Sequence, residues 1–306
     1  MIKKIALLFL LFFALQIKAQ SIKVSSGKIE RFANFNSQFV DARNIDVWLP
    51  DGYSKNEKYA VLYMHDGQAL YDAEKTWNKQ SWEVDETAGK LINLRKTRKF
   101  IVVGIWNNGL KRHPEYFPEK PYQTFDANQK RFISENLLKR KKIDAEFKVL
   151  SNEYLKFIVT ELKPFIDKTF ATKTNRKNTF VAGSSMGGLI SLYAICEYPK
   201  VFGGAACLST HWTGIYQNNE NPIPNAFINY LNRNLPSPSK HKIYFDYGNK
   251  TLDSLYQPSQ ERVNKVMIAK GFTKKNWTTT FFPGKDHTEN SWRDRLDVPL
   301  LFLLKK

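Results

Sequence analysis

The chain has 306 residues, 42% of them hydrophobic, which is enough to bury a sizeable core in one large α/β domain or, as a second choice, in two small ones. Its formal net charge of +18 raises a nucleic acid, an anionic surface or an acidic glycan as partners. The charge is scattered, however, and no helix-turn-helix, RNA-binding or zinc-finger signature accompanies its densest run, "LLKRKK" (137–142). The composition therefore favours a solvated basic face and argues against nucleic-acid binding.

The first nineteen residues have the pattern of a cleavable export signal. Lys3 and Lys4 precede the apolar run "IALLFLLFFAL", and Ala19 offers a small residue before a cut ahead of Gln20. The run is too short to cross a bilayer comfortably as a permanent helix, and no later segment is apolar enough to do so. We predict a signal peptide over 1–19 and a secreted or periplasmic protein, whose loss of three lysines lowers the formal charge from +18 to +15.

Short apolar runs then alternate with longer helical patterns, which is typical of a mostly parallel sheet covered by helices. The first two strands are expected to be antiparallel, and the later, nearly continuous apolar runs are typical of buried parallel strands. The predicted strands are "KIERFAN", "FVDARNIDVWLP", 59–67, 99–107, 179–185, 202–210, 242–250 and 277–287. The predicted helices are 152–170, 186–199, 258–271 and 291–306.

Two long connections, 108–150 and 211–241, are rich in Pro, Asn, Lys and aromatic residues. Both follow strand ends, so we expect them above the carboxyl edge of the sheet, where α/β proteins bind ligands. The pattern predicts a single domain over 20–306 with two elaborated loops.

Cys196 and Cys207 are predicted to be buried free thiols. Cys196 lies near the far end of the helix that starts at Met186, whereas Cys207 lies in the upper part of the following strand. The two side chains are therefore too far apart to form a disulfide.

Gly183-Ser184-Ser185-Met186-Gly187 matches the pattern G-x-S-x-G. An apolar strand leads into it and a helix leaves it, which is the context that a nucleophile elbow requires. Glycines two residues before and after the serine leave room for the crossing chain, and free amides at the helix start favour developing negative charge. The spacing selects Ser185 as the nucleophile and not Ser184.

The base follows from the chain order Ser, acid, His that α/β-hydrolases use. His65 and His113 precede the serine, His211 leaves no strand end for an acid before it, and His241 starts a strand at the wrong edge. His287, in "FFPGKDHTENSW", follows every candidate acid and is predicted to be the base.

Two aspartates are candidates for the acid. Asp253 lies in the loop just past the strand "KIYFDYGN", whereas Asp246 lies inside that strand. A loop carboxylate can reach an imidazole, and a mid-strand aspartate is more often a buried structural group. Asp253 is therefore favoured and Asp246 stays open.

The tetrahedral oxyanion needs hydrogen-bond donors. We expect the backbone amide of Met186, the residue after the nucleophile, to be one and the amide of Gln68 to be the other. Gly67 is expected to let the backbone approach the reacting carbon. Asp66 as a metal ligand is the weaker hypothesis because no second ligand stands at a suitable spacing.

The stretches "VLYMHDGQALYD", "VVGIWNNGLKRHPEYFP", "VAGSSMGGLISLYAICEYPKVFGG" and "PGKDHTENSW" occur in order. Together they resemble the putative esterase family that includes esterase D, feruloyl and acetyl xylan esterases, siderophore esterases and mycolyltransferases. The resemblance covers roughly 28 to 304 and implies an α/β-hydrolase fold, a Ser-Asp-His triad and ester or thioester substrates. The "DSL" at Asp253 echoes the acid of its feruloyl esterases, although "GNKTLD" places the acid further past its glycine than is usual there.

The sequence thus predicts a secreted serine carboxylic-ester hydrolase that needs no cofactor and no metal. Its substrates would be acyl or feruloyl esters of polysaccharide, with a siderophore trilactone as the alternative. Acyl transfer on the same scaffold and a non-catalytic glycan-binding protein also stay open. Trp106, His211 and Trp212 are candidate substrate-binding residues, with packing as the alternative for the last two.

Overall fold

The computed structural model describes residues 22–216 and 220–305. The predicted signal peptide, 1–19, lies outside the described residues. Among the described residues, no helix is long and apolar enough to cross a membrane.

One eight-stranded sheet in the described chain has the order β1-β2-β4-β3-β5-β6-β7-β8. The pairs β1–β2 and β2–β4 are antiparallel, and all the later pairs are parallel. This confirms the predicted α/β fold with a mostly parallel sheet and an antiparallel start. The strands are β1 Lys28–Phe35, β2 Arg43–Leu49, β3 Ala60–His65, β4 Phe100–Ile105, β5 Thr179–Ser184, β6 Gly204–Leu208, β7 Lys242–Tyr247 and β8 Trp277–Phe281.

Helices cover both faces of the sheet. The helices are α1 Val84–Asn93, α2 Arg112–Tyr116, α3 Glu119–Gln123, α4 Ala127–Lys139, α5 Ser151–Phe157, α6 Lys163–Thr169, α7 Met186–Glu197, α8 Ile223–Asn234, α9 Gln257–Ala269, α10 Glu289–Arg293 and α11 Asp297–Leu304. A π-helical turn, Ile158–Leu162, joins α5 to α6.

Side chains of the buried strands alternate between two cores. Along β3, Val61 and Tyr63 pack with α7 in the larger core, whereas Leu62 and Met64 pack with α1 and α11 in the smaller one. Because successive strand residues point to opposite faces, strands buried on both faces are apolar throughout. This explains the nearly continuous apolar runs in the sequence.

The connections 108–150 and 211–241 contain more regular structure than the sequence patterns predict. Helices α2, α3 and α4 lie in the first and α8 in the second. Helix α4 begins with a capping box, in which Asp126 accepts from the amide of Gln129 and the Gln129 side chain accepts from the amide of Asp126.

A buried ion pair fixes the first connection to the sheet. Arg43, at the start of β2, donates to both carboxylate oxygens of Glu115 in α2, at 2.8 and 2.6 Å. Both side chains are almost inaccessible to solvent. A bidentate pair of this kind adds orientation as well as energy, so α2 is held over the edge of the sheet.

Cys196 in α7 and Cys207 in β6 are both free and buried. The predicted absence of a disulfide between them is confirmed. Burial raises the pKa of both thiols, so neither is a ready nucleophile.

Candidate active site

Ser185 lies at the sharp turn between β5 and α7. Its backbone has φ 57° and ψ −121°, which an L-residue adopts only under strain, and the residue is 9% exposed. A Cβ on Gly183 would lie 2.8 Å from backbone atoms of Gly187, so the crossing chain requires glycine there. Ser184, by contrast, is the last residue of β5 and is buried in the sheet.

His287 and Asp253 meet beside this turn. His287 Nδ1 lies 2.6 Å from Asp253 Oδ1, and the Asp253 side chain is fully buried. The other oxygen, Oδ2, accepts from the amide of Gly248 at 2.6 Å and from the hydroxyl of Ser209 at 2.7 Å. These three contacts, on both oxygens, hold the carboxylate in one orientation toward the imidazole.

The loops that carry Asp253 and His287 are interlocked. A Cβ on Gly248 would lie 2.1 Å from the carbonyl oxygen of Lys285, so the two backbones approach more closely than any side chain would allow. The amide of His287 also donates to the hydroxyl of Thr251 at 3.0 Å. Together these contacts fix the separation of Asp253 and His287.

Asp246 occupies a different environment. It accepts from Arg295 at 3.0 Å, from the Tyr244 hydroxyl at 3.0 Å and from the amide of Ser209 at 3.2 Å. Burial raises the pKa of Asp246 against the opposing pull of Arg295. Its contacts are those of a structural group, and the structure brings Asp253 to His287 instead.

Tyr256 is a site residue that the sequence patterns do not single out. Its hydroxyl interacts with the Ser185 side chain and lies 2.7 Å from Nδ1 of His211, and its ring packs against His287 with centroids 5.7 Å apart. Burial, followed by the nearby Asp253 carboxylate, raises the pKa of Tyr256 well above its usual value. Its place three residues after Asp253, on the same helical turn, is the signal that could have identified it.

His211 lies next to Ser185 and is 1% exposed. Its amide donates to the carbonyl of Ser185 at 3.2 Å, and its Nε2 has no hydrogen-bond partner in the described chain. Burial, with a smaller contribution from His287, holds the pKa of His211 well below its usual value, so the imidazole is neutral. The residue forms part of the wall behind the turn, and substrate binding by His211 stays a prediction with packing as its alternative.

The predicted oxyanion donors lie at the carboxyl edge of the sheet. Within the part of the chain that the structure describes, the amides of Gln68 and Met186 have no hydrogen-bond acceptor. Gly67 has a different role from the one expected, because a Cβ there would lie 2.6 Å from the backbone of Gly104. It allows the turn to pack on β4.

Asp66 holds this turn through a bidentate ion pair. Its φ is 58°, and its two oxygens accept from Arg112 at 2.7 and 2.8 Å, with Asn107 donating at 2.7 Å. Although burial alone would raise the pKa of Asp66, Arg112 holds it below the usual range. Asp66 is thus engaged by protein donors, and no cluster of three or more His, Cys, Asp or Glu side chains suited to a metal occurs among residues 22–216 and 220–305.

The two candidate tryptophans differ in accessibility. Trp106 lines a cleft of about 220 Å³ together with Gln68, and its ring is covered by Arg31 at 4.8 Å. Trp212 is 1% exposed, packs on Phe245 and donates to Gln260 at 2.9 Å. The expectation that Trp212 binds substrate is wrong because tertiary packing buries its ring in the core; Trp106 stays a prediction.

The run 137–142 contacts the second loop near the site. Arg140 and Lys142 lie over the ring of Tyr216 at 5.3 and 5.4 Å, and Tyr216 packs against His211 with centroids 5.4 Å apart. A line of contacts therefore leads from exposed cations through Tyr216 and His211 to Tyr256 and Ser185. On this side, aromatic and positively charged side chains therefore pack around the site.

Known proteins resemble this chain in sequence and in fold. A family model described as "Putative esterase" matches residues 37–303. The endo-1,4-beta-xylanase/feruloyl esterase of Xylanibacter ruminicola is 29% identical over 217 residues, which are 68% of this chain and 24% of that protein. The chain thus spans about a quarter of that relative's length.

Two solved structures share the fold. A ferulic acid esterase superposes with a TM-score of 0.64 at 18% identity, covering 90% of this chain and 97% of the other. The enterochelin esterase from Shigella flexneri gives a TM-score of 0.63 at 15% identity, covering 90% of this chain and 57% of the other.

The buried histidines predict an acid-sensitive fold. Burial, aided by Arg112, lowers the pKa of His113 from 6.5 to about 3. Below about pH 6.5 the unfolded chain takes up a proton on this imidazole and the folded chain does not, so stability is complete above that pH and lost as the pH falls. We expect this group alone to remove about 2 kcal/mol from the unfolding free energy between pH 6.5 and 5.

Urea unfolding at a series of pH values tests this. The His113→Gln variant should lose less stability than the wild type over that range, since glutamine does not titrate. If the unfolding free energies of the two proteins fell in parallel with pH, His113 would not be buried as a neutral imidazole.

Proposed function

The chain belongs to the Putative esterase family, and on that premise we propose that it hydrolyses carboxylic esters through Ser185, His287 and Asp253. The observation that carries the proposal is the 2.6 Å contact between His287 and the buried Asp253, beside a serine at a strained turn. No other serine of the described chain has φ and ψ of this kind next to a G-x-S-x-G glycine pair.

The reaction proceeds in two halves. His287 Nε2 takes the hydroxyl proton as Ser185 Oγ bonds to the ester carbonyl carbon, and Asp253 stabilises the imidazolium. As the tetrahedral intermediate collapses, the bond to the alcohol oxygen breaks and His287 gives that oxygen its proton. Water, deprotonated by His287, then attacks the acyl carbon, and Ser185 leaves with its proton restored.

The oxyanion is stabilised by the amides of Gln68 and Met186. Met186 is the first residue of α7, a helix of twelve residues, so its amide points out of the positive end of the helix dipole. An amide without a protein acceptor is free to donate to charge that develops during the reaction. Losing one such donor typically costs about 10²–10³ in rate.

Tyr256 holds the resting nucleophile. Its interaction with Ser185 is supported on the far side by His211, whose neutral Nδ1 is within hydrogen-bonding distance of the phenol. When substrate enters, Ser185 exchanges this partner for His287. Tyr256 is therefore a positioning residue in the proposal.

We propose acyl or feruloyl esters of polysaccharide as substrates. Support comes from the relative whose name joins a xylanase to a feruloyl esterase, and from the cleft that Trp106 and Gln68 line beside the oxyanion turn. An exported enzyme would meet such substrates, and export through 1–19 is part of the proposal.

A siderophore trilactone is the second candidate. The positive charges of Arg140 and Lys142 over Tyr216 suit an anionic catecholate complex, and a structural neighbour is named enterochelin esterase. Turnover of methyl ferulate, acetylated xylan and enterobactin by one preparation separates the candidates. Adding an alcohol or glycan acceptor to the same assays detects acyl transfer, and a lack of turnover on all three together with tight xylan binding would favour a non-catalytic protein.

A serine pair provides an internal control for the nucleophile. Ser185→Ala should lower kcat on p-nitrophenyl acetate by at least about a thousandfold, because it removes the attacking oxygen. Ser184→Ala should stay within about threefold of the wild type, since Ser184 lies in the sheet. Equal effects of the two changes, or a larger effect at Ser184, would overturn the assignment.

Substitutions of Asp253 and Asp246 should likewise have different effects, the first on kcat and the second on stability. Asp253→Asn should lower kcat by about 10³–10⁴ with little change in the thermal midpoint, because the imidazole loses its orienting carboxylate. Asp246→Asn should instead destabilise the fold by about 3–5 kcal/mol, because the buried Arg295 loses the carboxylate at 3.0 Å and keeps only Asp253, at 4.0 Å, as a counter-charge. Kinetics and thermal unfolding of both variants measure this, and a large loss of kcat in a stable Asp246→Asn protein would identify Asp246 as the acid.

A further inference from the structure

A second concave surface lies at the opposite edge of the sheet from Ser185. It is a groove of about 510 Å³ whose lining includes Arg98, Lys177, Lys240, Lys242 and Lys275. We refer to it as the amino-end groove, because these five cations stand at or just before the starts of β4, β5, β7 and β8. Strand β5 runs from this end to Ser184, so the groove is about 17 Å from the proposed nucleophile.

The charged side chains that line the groove are all cations. No aspartate or glutamate is among the residues that form it, and none of its five cations makes an ion pair with any described residue. Arg98 donates instead to the carbonyls of Lys177 and Lys305, and Lys242 donates to the carbonyl of Phe302. Elsewhere on the chain, lysines with exposures like these form pairs with carboxylates.

These cations also repel one another. Lys242 is half-buried, and its pKa is lowered by burial and then by Arg98 and Lys305. Burial lowers the pKa of Arg98 as well. A bound anion would offset the cost of burying Lys242 and Arg98, and it would reduce the repulsion between the two cations. The groove therefore favours negatively charged ligands.

The spread of the positive charges favours a polymeric anion as the ligand over a single small anion. Lys177, Lys240 and Lys275 stand two residues before the starts of β5, β7 and β8. From β5 to β8 the sheet order covers three strand spacings, which is about 14 Å. Repeated negative charges along an extended polymer can meet such a row, whereas one phosphate or carboxylate would reach only part of it.

The rings in the groove do not suit a nucleic acid. Phe180 and His241 are the aromatic side chains of its lining; both are buried, and Arg98 lies over Phe180 at 5.8 Å. Single-stranded nucleic acids are held by bases that stack on accessible rings. A carbohydrate acid needs only charge and hydrogen-bond donors along the groove.

We propose that the amino-end groove binds an acidic polysaccharide, one that carries a carboxylate on successive sugars, as a site separate from the ester-cleaving centre. Binding there would hold the protein on a polyanionic glycan while the opposite edge of the sheet stays open to its substrate. The proposal does not depend on Ser185 chemistry, because no group of the proposed active site lines the groove.

Binding of polygalacturonate oligomers tests it, measured by calorimetry at several NaCl concentrations in both the wild type and Ser185→Ala. The groove variant is Lys177→Glu/Lys240→Glu/Lys275→Glu. The matched control, Lys90→Glu/Lys148→Glu/Lys265→Glu, makes the same charge change at exposed lysines outside the groove. Circular dichroism and the thermal midpoint check that both variants fold.

The proposal expects affinity that falls steeply with salt, a Kd raised at least about tenfold in the groove variant, and a change under about threefold in the control. We expect Ser185→Ala to bind polygalacturonate as tightly as the wild type does. Binding in the groove can therefore be tested even if the protein proves to have no esterase activity. Three outcomes would overturn the proposal: no binding at low salt, equal losses in both variants, or tighter groove-dependent binding of single-stranded DNA of equal charge.

Discussion

The backbone conformation of Ser185 is the constraint on which the rest of the site depends. A residue at φ 57° and ψ −121° costs of the order of 1–3 kcal/mol and persists only where its surroundings determine it. Here the amide of Ser185 donates to Leu208 at 2.9 Å and its carbonyl accepts from His211 at 3.2 Å, so the turn is tied to the end of β6. The close approach of Gly183 to Gly187 then lets α7 begin directly behind the serine.

A buried polar network supports the other half of the site. Ser209, itself at φ 41°, donates its hydroxyl proton to Asp253 and accepts from Trp292 at 3.0 Å and from Arg295 at 2.9 Å. Arg295 also binds Asp246, so one cation serves the structural aspartate and, through Ser209, the acid beside His287. Every residue of the network has hydrogen-bond partners, although Nε of Arg295 has none among the described residues. Such a network orients the groups that it bonds.

The sequence predicts the local parts of this arrangement well. The strand, the glycine spacing and the following helix identify Ser185, chain order selects His287, and position just past β7 favours Asp253 over Asp246; the geometry is consistent with each, and their roles stay predictions. Each of these three residues lies in a short segment whose conformation follows from its own sequence.

Features that depend on distant packing are not predictable in the same way. Helices α2 and α3 have five residues each, too few for a periodic pattern, and α4 buries only three side chains on a largely charged surface. The sequence pattern places Trp212 in a loop, and its burial depends on contacts with Phe245 and Gln260, which are distant in the sequence. Tyr256 and Ser209 acquire their places only when the loops after β6, β7 and β8 meet at one edge of the sheet.

Covalent labelling of the folded protein with a fluorophosphonate, followed by peptide mapping, tests whether Ser185 is an activated nucleophile. An activated serine reacts, whereas an ordinary buried or surface serine does not. We expect a single adduct on Ser185, lost in the His287→Ala variant, which lacks the base. An adduct on Ser184 or another residue, or no adduct on protein that is folded, would contradict it.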